Sequence, residues 1–423
     1  MTVVYIIIFL GLSWWLYSFT TKDYVTVKLP GNKDSEMEVT GLEGLVIAMF
    51  ATCWIGLAPV LSLRLGFLEL LCIIGLYKCK NYLPFSFPLK MYVVFLLWLV
   101  IGLFYTPSVE YGVRMILKYI YPFLFALLCA KVVKKGELFF AAGLWNRVVG
   151  TVCILLLFLP VPFLIRGIIW AKQAVITGII TCIVFSFSMI YHSNKRMMNL
   201  FWGCLLCLPA VIAVYRTDIF GTAVALSMFF FLIYKFKAIP FILGIGILGL
   251  VVMFQLPHVK TKMFWHPEKV TMESYLKGEI NPDDVRDNMR KFMWEDAMKS
   301  YYENHEAFGS GTGAIQHFFY ELAMDSRRGG QLHNDFLVLR CDNGNIGLAL
   351  FLIAYLLVYF HCMKIYRDAD NVYTKVCALV AGASLLGVFV TMYSDNTLSF
   401  SMVTLGAPWG FYGMTLGLQE TLE

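Results

Sequence analysis

Three side chains able to move a proton or hold an anion stand close together in Gln331-Leu-His-Asn-Asp-Phe-Leu-Val-Leu-Arg-Cys-Asp-Asn-Gly-Asn-Ile-Gly347: His333, Arg340 and Asp342. The stretch ends a polar segment that begins near His258. It opens an apolar run from Leu348 to Phe360 that reads as a transmembrane helix. The three residues therefore sit where water meets hydrocarbon, a depth at which ionisable groups are expensive and default to a functional reading. A neutral imidazole there can take a proton from an attacking hydroxyl. The bland alternative is a histidine that caps the next helix or bonds a backbone carbonyl. Asn334 stands beside it as a supporting candidate. Arg340 and Asp342 could pair with each other, or Asp342 could orient His333.

Two more arginines could grip an anion. Arg216 lies in Ala213-Val-Tyr-Arg-Thr-Asp-Ile-Phe-Gly221, where two apolar segments meet. It is either a snorkelling surface residue or an anion clamp facing inward. Arg290 stands four residues before Trp294, and Arg286 projects one helical turn earlier on the same face. Segment 258–331 holds ten basic residues against twelve acidic ones, so anion binding would need placed arginines such as Arg286, Arg290, Arg327 and Arg328, not a general basic patch. Gly309-Ser-Gly-Thr-Gly313 lacks the Gly-Lys-Ser/Thr ending and the preceding strand of a phosphate loop, and reads as a turn between helices. No Asp-x-Asp occurs on a loop expected to face outward, and no paired His/Cys spacing makes a zinc site. Neither a metal nor another cofactor is expected.

The elements that must position these residues are membrane helices. Of 423 residues 59% are hydrophobic and 15% charged, against roughly 45–50% and 25% in a soluble domain. Spanning a bilayer takes about 20 apolar residues. The candidates are 2–18, 43–61, 64–78, 91–107, 113–131, 138–165, 171–191, 199–215, 218–234, 238–257, 343–362, 374–393 and 400–417, and eleven to thirteen spans are expected. The run Val3 to Tyr17 lacks a basic start and a small-residue cleavage site, so an uncleaved helix is expected. Lys78, Lys80 and Lys90; Lys131, Lys134 and Lys135; Lys195 and Arg196; Lys235 and Lys237; and Lys364, Arg367 and Lys375 fall in alternate loops, which should be cytoplasmic. The remaining loops, with the long 258–331 segment, then face outward. The net charge of +6 is thus a matter of loop topology and no sign of a nucleic-acid partner. Three parts follow: helices in 1–257, an outer helical loop in 258–334, and helices in 335–423. Within the loop, Asn281-Pro-Asp-Asp284 reads as a helix start with the helix running to about Tyr302, and Ala314–Met324 as a second short helix. Most of the eleven cysteines lie in apolar segments and read as packing.

The pattern His333-Asn-x-Phe-Leu337, an acid nine residues after the histidine, then Gly344-x-x-Gly347 resembles the O-antigen ligase and polymerase superfamily of envelope glycosyltransferases. The placing of Arg216, and Arg290-x-x-x-Trp294 followed by Gly-x-Gly, fits the same family, most like O-antigen ligase. Tyr215 and Thr217 depart from the family's usual neighbours of the arginine. Family members often have glutamate at the position of Asp342 and an apolar residue at that of Arg340. The resemblance implies an all-α, polytopic membrane transferase with the GT-C-type fold, acting without metal at the periplasmic face of the bacterial inner membrane. It implies His333 as catalytic base, Arg216 and Arg290 on a pyrophosphate, and Arg286, Asn334, Arg340 and Asp342 in support. The donor would be an undecaprenyl-pyrophosphate-linked glycan and the acceptor lipid A-core. A polymerase using a second lipid-linked unit as acceptor, and a transporter without catalysis, are the alternatives.

Overall fold

The computed structural model describes residues 20–30, 36–54, 61–158, 172–255, 257–268, 290–319 and 332–420, with residues 14 and 18 and parts of 270–279. The expected first span 2–18 lies almost wholly outside them, as do the expected helix start at 281–284, Arg286, Arg327 and Arg328.

A two-stranded antiparallel hairpin, β1 (Val25–Lys28) and β2 (Glu36–Val39), precedes the helices. Helix α1 (Gly41–Thr52) begins in a capping box. The Thr40 hydroxyl accepts from Glu43 N, and Glu43 Oε2 accepts from Thr40 N at 2.8 Å, so two otherwise orphaned amides are satisfied. There follow α2 (Leu61–Lys78), α3 (Phe87–Gly102), α4 (Val109–Val132), α5 (Gly136–Phe158), α6 (Lys172–His192), α7 (Arg196–Ala213), α8 (Arg216–Tyr234), α9 (Ile239–Gln255) and α10 (Pro257–Met263). Segment 258–331 contributes α11 (Arg290–Tyr301), and after it come α12 (Asp335–Asp368), α13 (Val372–Thr391) and α14 (Gly406–Glu420).

The chain is an all-α polytopic membrane protein. Among the described residues seven helices are long and apolar enough to cross a membrane: α4, α5, α6, α7, α8, α12 and α13. Helices α2, α3, α9 and α14 fall on four more of the expected segments and run 18, 16, 17 and 15 residues. In α6 every residue from Ala174 to Met189 is buried, which its sequence, apolar all round but for small hydroxyl side chains, permits at the centre of a bundle. Helices α5 and α13 pack against it, and α14 lies between α13 and α4. Helix α14 lies directly on α4 because Gly413 carries no side chain where the Ala126 carbonyl sits. Phe50, Phe125, Phe139, Phe185 and Phe411 interlock in the space between, with ring centroids 4.8 to 5.6 Å apart in successive pairs. Helices α7 and α8 are peripheral, and outward apolar side chains such as Phe201 and Phe220 are more than half exposed, as a wall against lipid requires.

Helix α12 is broken where it meets segment 258–331. Gly344 has φ 66° and ψ −173°, a conformation almost confined to glycine. The broken ladder is completed from outside: Ser310 N donates to Cys341 O, Gly311 N to Asp342 O and Asn345 N to Glu306 O, at 2.7 to 2.9 Å. The Asp342 carboxylate accepts from Gly313 N at 3.0 Å and Ile315 N at 2.8 Å. Gly309, Gly311 and Gly313 all have positive φ, so the glycine run forms the turn between α11 and the short helix Ala314–His317. A side chain at Gly344 would meet the Ala307 carbonyl. Gly344→Ala is therefore expected to lose about 1–3 kcal/mol from strain alone. It should lower the melting temperature in detergent and speed proteolysis within 290–319; a variant as stable as the parent would mean that the segment is held elsewhere.

Candidate active site

The first described turns of α6 and α11 and the N-terminal ends of α8 and α12, together with α10 and the loop after α13, gather at one end of the bundle. A cavity of about 620 Å³ lies among them, and Lys172, Tyr215, Arg216, Thr217, Lys262, Arg290 and His333 are in its wall. Arg216 opens α8 after the N-cap Tyr215, so a positive helix end reinforces the cations there. Burial, and then the nearby charges of Asp218 and Asp395, push the Tyr215 phenol above its usual range. It remains a neutral hydrogen-bond donor in the wall.

Arg290 is the first described residue of α11, and Trp294 follows on the same face. The indole Nε1 donates to Leu332 O at 2.7 Å and the ring packs edge-on to Tyr393. This anchor fixes the helix beside His333, and the spacing then delivers the guanidinium into the cavity. Its Nη1 donates to Ser394 O at 2.7 Å, while the Ser394 hydroxyl bonds Thr217 Oγ1 at 2.6 Å.

The same loop holds the histidine. His333 has φ 50°, a left-handed conformation uncommon outside glycine. Its amide donates to Asn396 Oδ1 at 3.0 Å, which leaves Asn396 Nδ2 facing His333 Nδ1 at 3.0 Å. Asp395 Oδ1 stands 3.5 Å from the same ring nitrogen. The imidazole is about one-third exposed, whereas Asp395 is buried. The two contacts act in opposite senses on Nδ1. Asn396 favours a lone pair there and a proton on Nε2; Asp395 favours a proton on Nδ1, which frees Nε2 to accept one.

Arg216, Arg290 and His333 thus share one cavity. Of the supporting candidates, Asn334, Arg340 and Asp342 do not line it. Asn334 is the N-cap of α12, its Oδ1 accepting from Leu337 N at 3.0 Å. Asp342 caps the turn before Ala314–His317, as described above, and does not orient His333. Arg340 does not pair with Asp342: its guanidinium lies 4.2 Å from the Tyr302 ring centroid, donates to Tyr302 Oη at 2.8 Å and to Asn345 Oδ1 at 3.1 Å, and staples segment 258–331 to α12. Arg286 lies outside the described residues.

Sequence reasoning missed Asp395 and Asn396, and the two lysines of the cavity wall. The signal for the first pair was a Ser-Asp-Asn step in a short loop between apolar segments, 394–399, expected on the same side as His333.

No curated protein matches the chain. Residues 202–352, which carry Arg216, Arg290 and His333, match the family described as O-antigen ligase. The two arginines and the histidine of the cavity fall inside the matched region, over which the chain is similar to the O-antigen ligase family.

Proposed function

We propose that the protein transfers a glycan from an undecaprenyl-pyrophosphate carrier to a hydroxyl of lipid A-core at the periplasmic face of the inner membrane. The observation that carries this reading is the convergence of Arg216, Arg290 and His333 on one cavity from three separate elements. Arginine forks match phosphate oxygens in planar, paired hydrogen bonds. When the bond from the anomeric carbon to the pyrophosphate oxygen breaks, the electron pair stays on that oxygen, and fixed guanidinium groups stabilise it. The acceptor oxygen forms the new bond to the anomeric carbon from the opposite face, so configuration inverts. Its proton passes to His333 Nε2, which requires the Nδ1–H tautomer that Asp395 favours.

With the leaving group held by organic cations, transfer is expected to proceed at an unchanged rate in excess EDTA. Loss of activity on chelation, restored by magnesium or manganese, would overturn this mechanism. The acceptor is tested in a strain lacking the gene. Unmodified lipid A-core accompanied by accumulated lipid-linked polymer is the expected outcome. Core bearing single repeat units would instead mark a polymerase whose acceptor is a second lipid-linked unit, and unaltered surface glycan would exclude both.

A further inference from the structure

The cavity wall holds more positive charge than the two arginines supply. Lys172 and Lys262 line it as well, and among the described lining residues there is no aspartate or glutamate, the Asp395 carboxylate lying behind His333 at 3.5 Å from its Nδ1. They come from different elements, the first described turn of α6 and the last turn of α10. Lys262 Nζ donates to Ala213 O at 2.8 Å, which uses one of its three donors and fixes the ammonium beside the end of α7. Lys172 Nζ lies 4.2 Å from the centroid of the Phe158 ring, which places it by a cation–π contact and satisfies none of its hydrogen-bond donors. Four like charges around one cavity repel one another, and an anion of high charge relieves that repulsion.

We propose that Lys172 and Lys262 form a second pair of cations that makes the site prefer a lipid diphosphate to a lipid monophosphate. The inference rests on the reading of the cavity as a lipid-pyrophosphate site and adds a division of labour within it. A phosphate monoester carries about two negative charges near neutral pH, a load that Arg216 and Arg290 already match. A second phosphate adds oxygens and charge that need further donors. Ammonium groups suit that task because they act as compact point charges with rotating donors, whereas arginine imposes a planar fork.

The test uses full-length protein in detergent at fixed ionic strength, with farnesyl diphosphate and farnesyl monophosphate as probes and Kd as the readout. The parent should bind the diphosphate at least about tenfold more tightly, the scale of one charge-assisted hydrogen bond. Lys172→Gln/Lys262→Gln should abolish that preference while leaving the monophosphate Kd nearly unchanged. Lys172→Arg/Lys262→Arg, which retains both charges, should keep most of it and controls for folding. Equal weakening of both probes in the glutamine variant would reduce the lysines to a general field and overturn the proposal. Unchanged selectivity would leave Lys262 as a staple between α10 and α7 and overturn it too. A parent that binds both probes equally refutes the lysine assignment alone. A parent that binds neither refutes the lipid-pyrophosphate reading itself.

Discussion

His333→Ala should lower glycan transfer by about 10²–10⁴-fold, the usual contribution of a general base, while donor binding stays close to that of the parent. The reason lies in the geometry. The backbone amide of His333 is held by Asn396, and its Nδ1 faces the Asp395 carboxylate at 3.5 Å; in the Nδ1–H tautomer that carboxylate favours, Nε2 is the group available for the acceptor's proton. Asp395→Asn should reproduce much of that loss. Without the carboxylate 3.5 Å from Nδ1, the Asn396 amide alone faces that nitrogen and holds the neutral ring with its proton on Nε2, where it cannot accept another. The pair of variants separates chemistry from packing. A histidine that merely shaped the loop would lose about 1–3 kcal/mol of stability with its strained conformation, and the folded fraction would still turn over. If His333→Ala, purified at normal yield, keeps more than roughly a tenth of parental transfer, against the loss expected of a general base, His333 is not the base.

Arg216→Lys and Arg290→Lys keep a positive charge and should still be costly, each by roughly ten- to a hundredfold in kcat/KM. That range corresponds to losing one or more charged hydrogen bonds worth about 1.5–3 kcal/mol. Their signature differs from that of His333→Ala, because binding of the donor weakens together with the rate. Arg290→Lys has a second effect: the Nη1 bond to Ser394 O couples the cavity arginine to the loop that orients His333, so part of the loss should appear in kcat. Parental kcat/KM in both lysine variants would show that charge alone suffices and that the planar fork has no part in gripping phosphate.

Much of this molecule is written in local sequence. Long apolar runs have one low-energy solution in a bilayer, the helix, because it alone satisfies its own backbone within a single segment. The mostly apolar 171–191 run accordingly became the buried α6, and the basic loops alternate with those that gather at the cavity. Local spacing also marked Arg290 and Trp294 as one helical face and made the glycine run 309–313 a turn. His333 and Arg216 stood out because a charge or imidazole beside hydrocarbon is costly anywhere in a chain.

Tertiary packing alone decided which of these side chains meet. Asp342 is nine residues from His333 and was the natural orienting partner, yet the break at Gly344 leaves open amides and carbonyls that segment 258–331 fills, and Asp342 is drawn into that repair. The groups that hold His333 lie 63 residues further on. Asp335 places them: its amide donates to Met392 O and its Oδ2 accepts from Leu398 N, both at 2.8 Å, so the loop between is clamped across the histidine. Neither contact has a local signature, because a hydrogen bond between distant segments is selected by how whole helices pack and not by the residues beside it. The lysines illustrate the same point. Lys172 and Lys262 are ordinary flanking cations in sequence, and only the meeting of α6 and α10 at one end of the bundle makes them walls of the cavity that holds Arg216, Arg290 and His333.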